Sequence, residues 1–151
     1  DTIDLSAFTE GCDLSLVSGS SSTVVCETGG TGWTSGQMLD NLSIAHGATI
    51  ENLIAGSGDD TIVGNSASNI LTGGDGADTF VFQGDFDADT ITDFIVGTDL
   101  LSFEDSDGAA IDTAGITESV SGSDLVLTVS VGNTVTLTGL GSETFDDGFL
   151  V

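Results

Sequence analysis

The sequence predicts an all-β protein, a short parallel β-roll flanked by strands and closed by a C-terminal antiparallel β-hairpin. Three observations lead to this prediction. Three nine-residue units follow one another without a gap, at residues 55–63, 64–72 and 73–81. The chain has 22 glycines and no proline, and β-branched residues dominate it without a sustained helical period. Near the C-terminus, apolar residues alternate with Thr and Ser on both sides of a predicted Gly132–Asn133 turn.

The three units read AGSGDDTIV, GNSASNILT and GGDGADTFV. The third fits the nonapeptide G-G-x-G-x-D-x-U-x, with U a large apolar residue, at every defined position, and the first misses one glycine. Glycines let the backbone adopt positive φ and turn its carbonyl groups inward. One unit cannot bury its apolar residue alone, so we expect two units per coil and stacked coils. The predicted inward column is Leu53, Ile62, Leu71 and Phe80.

The repeat extends in weaker form on both sides. Counting back nine residues gives 46–54, a degenerate unit with Leu53 inward, and residues 84–92 restore the pattern at Asp89 after a two-residue insertion. The predicted organisation is one domain of three parts: strands and loops at 1–45, the roll at 46–92 and a β cap at 93–151. A turn should stack on the turn two units away.

Stacked turns of this kind offer backbone carbonyls and carboxylates, the oxygen ligands that Ca²⁺ prefers. The strongest predicted site places Asp60 opposite Asp78. Its carbonyl ligands are Gly56, Gly58, Gly73 and Asp75. A second site places Thr49 and Glu51 against Gly64, Ser66 and Asn69. A third combines Gly74, Gly76 and Asp78 with the displaced Asp89. Because Asn69 stands where Asp is expected, its sites should bind calcium more weakly or be replaced by direct hydrogen bonds.

Composition agrees with a metal-dependent globular chain. The 151 residues are 38% hydrophobic, with 25 acidic residues, no Lys or Arg and a net charge of −25, and the mean hydropathy is +0.28. Self-repulsion opposes compaction, and hard cations would relieve it; acidity for solubility alone is the alternative. Nucleic acids and anionic membranes are disfavoured as partners because both are bound through Lys and Arg. No apolar run is long enough to span a membrane.

Few residues suggest other chemistry. Cys12 and Cys26 are the only cysteines, and they predict a disulfide in an extracellular chain, with two buried thiols as the alternative. Two cysteines and one distant histidine do not make a zinc site. The single His46 forms no Ser-His-Asp or Cys-His constellation, so we expect no enzyme within these residues.

Residues 41–65, 73–82 (GGDGADTFVF) and 89–103 (DTITDFIVGTDLLSF) resemble the RTX (repeats-in-toxin) proteins, in particular the C-terminal domain of serralysin-type metalloproteases. Residues 1–8 resemble the strand after that family's catalytic domain. The resemblance implies a bacterial, secreted, calcium-binding β-roll, exported unfolded by type I secretion machinery with an uncleaved C-terminal signal. The final FDDGFLV is consistent with such a signal. The zinc motif H-E-x-x-H is absent, so a protease domain would lie upstream of Asp1.

These observations support three hypotheses. The leading one is a non-catalytic module that folds on calcium outside the cell and supports secretion and stability of a larger protein. The second is an extracellular structural protein in which neighbouring copies assemble through the open ends of the roll. The third is a module that binds polysaccharide or a cell surface, for which Trp33 is the main argument.

Overall fold

The computed structural model describes residues 1–22 and 42–151, and within these ranges the regular structure is almost entirely strand. The strands are β1 (Thr2–Asp4), β2 (Asp13–Ser15), β3 (Ser21–Ser22), β4 (Leu42–Ser43), β5 (Asn52–Ile54), β6 (Thr61–Val63), β7 (Ile70–Thr72), β8 (Thr79–Gln83), β9 (Ala88–Ile91), β10 (Leu100–Glu104), β11 (Thr117–Ser121), β12 (Asp124–Ser130) and β13 (Asn133–Leu137). Two 3₁₀ helices span Thr113–Gly115 and Asp147–Phe149. No helix in the described ranges is long and apolar enough to cross a membrane. The predictions for Cys26 and Trp33 fall outside these ranges.

Successive strands of the repeat alternate between two sheets, which confirms the predicted parallel roll. One sheet has the order β1-β5-β7-β9-β13-β12-β11, and the other has the order β10-β8-β6-β2. Asn52 pairs with Ile70 and Thr61 pairs with Thr79, in both cases across two nine-residue units. The parallel strands also continue beyond 46–92, since β1 and β2 precede that range and β10 follows it.

The core lies between the two sheets. The predicted inward column of Leu53, Ile62, Leu71 and Phe80 is buried. Strand pairing extends it into two rows, one in each sheet: Ile3, Leu53, Leu71 and Ile91, and Leu14, Ile62, Phe80 and Leu101. Burial of each such side chain stabilises the fold by roughly 1.5–3 kcal/mol, so the stacked rows are the main source of cohesion.

The C-terminal hairpin continues the larger sheet. β13 pairs in parallel with β9 and antiparallel with β12, and β11 adds a further strand. Its apolar face is buried, as the alternation predicts, through Leu125, Leu127, Val135 and Leu137. The predicted turn is wrong by one residue: β12 ends at Ser130 and β13 begins at Asn133. The turn is therefore Val131–Gly132, and Gly132 adopts a φ of 95°.

Aromatic residues close the end of the roll. Phe80 contacts Phe94 with a ring-centroid distance of 6.2 Å, and Phe94 stacks on Phe149 at 5.6 Å. The backbone N–H of Val151 donates to the carbonyl of Leu101 at 3.2 Å. The last residues of the chain thus pack on β10 and complete the core.

Candidate functional site

The turns between strands form two stacks, one along each side of the roll. The first turn stack comprises residues 8–12, 55–60, 73–78 and 93–99, and the second comprises residues 46–51, 64–69 and 84–89. Each turn lies next to the turn of the neighbouring coil because the strands that it joins are paired in register.

Glycines let the turns of the first stack approach closely. A Cβ at Gly74 would lie 1.8 Å from the carbonyl oxygen of Gly56, and one at Gly76 would lie 2.4 Å from that of Gly58. Both glycines also have positive φ, 101° and 125°. The carbonyl oxygens of Gly56 and Gly58 therefore lie against the next turn, and that of Gly56 accepts a hydrogen bond from the backbone N–H of Asp75 at 3.2 Å.

A ladder of carboxylates runs through the first turn stack. The backbone N–H of Cys12 donates to Asp60 at 2.6 Å, that of Asp60 donates to Asp78 at 2.9 Å, and that of Asp78 donates to Asp99 at 3.1 Å. Each acid precedes a strand of the smaller sheet, so its side chain extends the hydrogen bonding of that sheet into the turn. The predicted meeting of Asp60 and Asp78 is thus present.

Asp78 is the least satisfied member of this ladder. Its Oδ2 is buried without a hydrogen-bond partner, and the residue is only 1% exposed. Burial raises the pKa of Asp78 to about 7, the hydrogen bond from Asp60 opposes the rise, and the charges of Asp99, Asp60 and Asp93 add to it. Burial also raises the pKa values of Asp60 and Asp99. The site therefore concentrates negative charge that has no compensating partner.

The sequence missed two acids of this site and misplaced a third. Asp93 accepts hydrogen bonds from the backbone N–H groups of Gly73 and Gly74 at 3.0 and 2.8 Å, and Asp99 follows Asp78 in the ladder. The predicted pairing of Asp78 with Asp89 is wrong, because each unit changes side and Asp89 falls in the second turn stack. The pattern of an acid two residues before a buried Leu, Asp99 and Leu101, could have identified the true neighbour.

Amide side chains dominate the middle of the second turn stack. Asn69 accepts a hydrogen bond from the backbone N–H of Asn65 at 2.9 Å and donates to the carbonyls of Ile50 and Glu51 at 3.2 and 3.3 Å. The Asn65 amide group donates to the carbonyls of Leu16 and Ile50 at 3.1 and 2.7 Å. Direct hydrogen bonds are one of the two outcomes predicted for the Asn69 position.

The other residues predicted for that site lie near it without converging. Thr49, Gly64 and Ser66 line one groove of about 370 Å³. The carboxylate of Glu51 contacts the amino group of Asp1, and only its backbone carbonyl meets Asn69.

Asp89, above Asn69, accepts the Asn69 N–H at 2.7 Å while its Oδ2 is buried without a partner. Burial raises the pKa of Asp89 to about 7, the hydrogen bond from Asn69 lowers it and the charge of Asp87 raises it.

The two turn stacks differ in how well they would suit a divalent cation. The first offers glycine carbonyls, several carboxylates and a buried oxygen without a partner, which is the donor chemistry that Ca²⁺ prefers. Within residues 1–22 and 42–151, no three His, Cys, Asp or Glu side chains are grouped as a metal site. A cation there would consequently depend on backbone carbonyls as much as on carboxylates.

Parallel repeat strands that alternate between two sheets, joined by stacked glycine-rich turns, define a repeat protein of the parallel β-roll class. The model of the Peptidase M10 serralysin C-terminal family matches residues 1–114. The chain belongs to this family, as the resemblance in its sequence predicted. The match is to the C-terminal, non-catalytic part of these proteases. Membership of this family confirms the predicted extracellular location.

Several relatives share this region. The chain is 39% identical over 71 residues to the metallopeptidase AprA of Pseudomonas marginalis, covering 47% of this chain and 13% of that protein. It is 42% identical over 71 residues to a serralysin of Photorhabdus laumondii, covering 47% and 12%. The extracellular lipase LipA of Serratia marcescens superposes with a TM-score of 0.48 at 23% identity, covering 94% of this chain and 20% of that one. The chain thus spans about an eighth of the curated relatives that it matches.

Proposed function

We propose that this chain is a non-catalytic calcium-binding module that folds outside the cell and supports the export and stability of a secreted protein. The observation that carries the proposal is the buried Oδ2 of Asp78, which has no hydrogen-bond partner within a ladder of carboxylates. The sequence contains no Lys or Arg that could neutralise this ladder. Calcium, when bound, would supply the missing positive charge and join neighbouring turns through oxygen ligands.

The residues proposed to hold calcium belong to the first turn stack. Asp60, Asp78 and Asp99 would supply carboxylates, and Asp93 would keep the turn at Gly73 in place through its two hydrogen bonds. The proposed carbonyl ligands are Gly56, Gly58, Gly73 and Asp75, with Gly74 and Gly76 allowing the close approach. Asp89 would serve a separate position in the second turn stack, since it does not meet Asp78.

Because folding would depend on calcium, it would take place outside the cell rather than before export. Where calcium is scarce, the carboxylates of the ladder repel one another and the chain stays extended and competent for type I export. Extracellular modules bind calcium with dissociation constants of about 10⁻⁴–10⁻³ M. Binding only to the folded form adds about 2.7 kcal/mol of stability at a calcium concentration 100 times the dissociation constant. Folding would then begin outside the membrane.

Circular dichroism during a calcium titration of the chelated chain tests the proposal. We expect β-structure to appear as calcium is added. Asp78→Asn should raise the calcium concentration at the midpoint about tenfold or more, which corresponds to a loss of about 1.4 kcal/mol of binding free energy. Asp107→Asn removes the same charge from an exposed loop position and should leave the midpoint unchanged. A wild-type chain with the same β-structure content in chelator and in calcium would refute the proposal.

Self-assembly is the second candidate, and one observation favours it. β1 is an edge strand of the larger sheet, and no other described strand pairs with its free side. Unpaired edges are templates for pairing with another chain. Light scattering in calcium tests this candidate, because an assembling chain would exceed the 15.1 kDa of one copy. The polysaccharide-binding hypothesis rests on Trp33, outside the described residues, and stays a prediction.

A further inference from the structure

Asn65 and Asn69 form a compact group that we name the amide clamp. Each residue uses both ends of its side-chain amide. The oxygen of Asn65 accepts from the backbone N–H of Ala67 at 2.8 Å and from the Asn69 amide at 3.2 Å. The oxygen of Asn69 accepts from the Asn65 backbone N–H. Asn69 is buried, and neither Asn side chain has an unpaired buried atom.

The clamp joins two coils at the place where a cation would otherwise join them. The carbonyls of Leu16, Ile50 and Glu51 belong to the preceding coil and receive hydrogens from the two amide groups. The side-chain amide hydrogens of Asn65 and Asn69 lie against these carbonyls, on the side where a cation between the two turns would have to bind. The amide groups therefore occupy the position that Ca²⁺ would take between two such turns.

The first turn stack has the opposite character. Its ladder positions are carboxylates, which accept hydrogen bonds and donate none when ionised. The Oδ2 of Asp78 has no partner there, whereas each polar atom of Asn69 is used. Hydrogen bonds thus close the contact between turns 46–51 and 64–69, whereas the first turn stack keeps an unneutralised carboxylate at Asp78.

We propose that the amide clamp is a cation-independent fastener, so that the roll binds calcium between its turns at the first turn stack but not between turns 46–51 and 64–69. This inference deepens the proposed function and relies on it only for the identity of the cation. The consequence is that the contact between turns 46–51 and 64–69 is held by the chain's own side chains, whereas the positions of Asp78 and Asp89 depend on a proton or a cation from the solution.

The test compares Asn69→Ala with Asp78→Asn in the intact chain. Urea unfolding is followed at several calcium concentrations, and bound calcium is counted by equilibrium dialysis. We expect Asn69→Ala to lower the urea midpoint by the same amount at every calcium concentration and to bind as many ions as the wild type. Asp78→Asn should bind at least one ion fewer, and its loss of stability should grow with calcium concentration, because bound ligand stabilises the folded form by mass action.

Fewer calcium ions bound by Asn69→Ala, or an unchanged urea midpoint, would overturn the inference. A wild type that binds no calcium would refute the proposed function, whereas the clamp would still be judged by the midpoint of Asn69→Ala. If that variant does not fold, wild-type NMR with Mn²⁺ in place of calcium decides the matter. The Asp78 amide signal should broaden much more than the side-chain signals of Asn65, whose amide group faces Leu16 and Ile50, and equal broadening would refute the cation-independent clamp.

Discussion

At the scale of single residues, the ladder positions show how one site in a repeat can take different chemistry. One row of equivalent positions lies directly before the strands of the smaller sheet and contains Cys12, Asp60, Asp78 and Asp99. The matching row of the larger sheet contains Glu51, Asn69 and Asp89. The Asn69 amide bonds to the preceding coil and to its own turn, whereas the carboxylates of Asp78 and Asp89 each leave a buried oxygen without a partner. The side chain at each position thus determines whether a proton or a cation is needed to satisfy a buried oxygen.

The raised pKa values predict how pH acts on the metal-free chain. The pKa values of Asp78 and Asp89 are about 7 when folded and near 3.9 when unfolded, so the folded state binds more protons between these limits. Their stabilisation is complete below about pH 4 and is lost as pH rises through about 7. We expect the metal-free chain to gain β-structure as pH falls from 8 to 5, measured by circular dichroism.

The double variant Asp78→Asn/Asp89→Asn is the matched comparison, because amides do not titrate. Its β-structure should change much less over the same pH range. Calcium should bind the wild type more tightly as pH rises through about 7, since metal binding competes with protons. A metal-free wild type that steadily loses structure from pH 8 to pH 5 would contradict this assignment.

At the scale of elements, the sequence predicted the roll well where the repeat was regular. The inward residues at nine-residue spacing are buried because each strand contributes one apolar side chain between the sheets. The prediction failed at Asp89, because this residue belongs to the unit directly after that of Asp78 and successive units lie on opposite sides of the roll; the two extra residues lengthen β8. It also placed the hairpin turn at Gly132–Asn133, because the irregularity between Thr128 and Ser130 shifts the register without a marker in the sequence.

The glycines of the turns differ in what they do, and two of them form a matched pair. Gly74 and Gly97 both have positive φ, 101° and 79°, but a Cβ at Gly74 would collide with the carbonyl oxygen of Gly56 while one at Gly97 meets open space. Gly97→Ala should cost only the left-handed strain of roughly 1–2 kcal/mol. Gly74→Ala should lower the free energy of unfolding by at least about 2 kcal/mol more than Gly97→Ala does. Urea unfolding in calcium measures both, and equal losses would show that the turns separate easily.

The C-terminal segment should act as part of the core. Phe149 is 1% exposed and stacks on Phe94, so we expect Phe149→Ala to lower the free energy of unfolding by about 3–5 kcal/mol. Val151, two residues on, is 78% exposed, and Val151→Ala should stay within about 0.5 kcal/mol of wild type. Urea denaturation in calcium distinguishes them. Similar stabilities would mean that the terminal residues do not close the roll.

At the scale of the whole molecule, a net charge of −25 with no Lys or Arg sets the balance between extended and compact states. Stacked apolar rows favour compaction, and repulsion among carboxylates opposes it. Monovalent salt only screens exposed charges, whereas a cation held between turns would neutralise the buried ones. The fold therefore predicts a response that is specific to the kind of cation rather than to ionic strength.

Small-angle scattering tests this expectation and separates a monomeric module from an assembly. For 151 residues, the radius of gyration should fall from roughly 40 Å when unfolded to roughly 15 Å when compact. We expect the compact value only in calcium, with the mass of one chain. Magnesium at equal ionic strength is the control, because it demands near-ideal octahedral geometry and gives up its water reluctantly. Equal compaction in NaCl would show that screening alone drives folding, and equal compaction in magnesium would show that the turns do not select calcium. Growth of the particle in calcium would favour assembly through the free edge of β1.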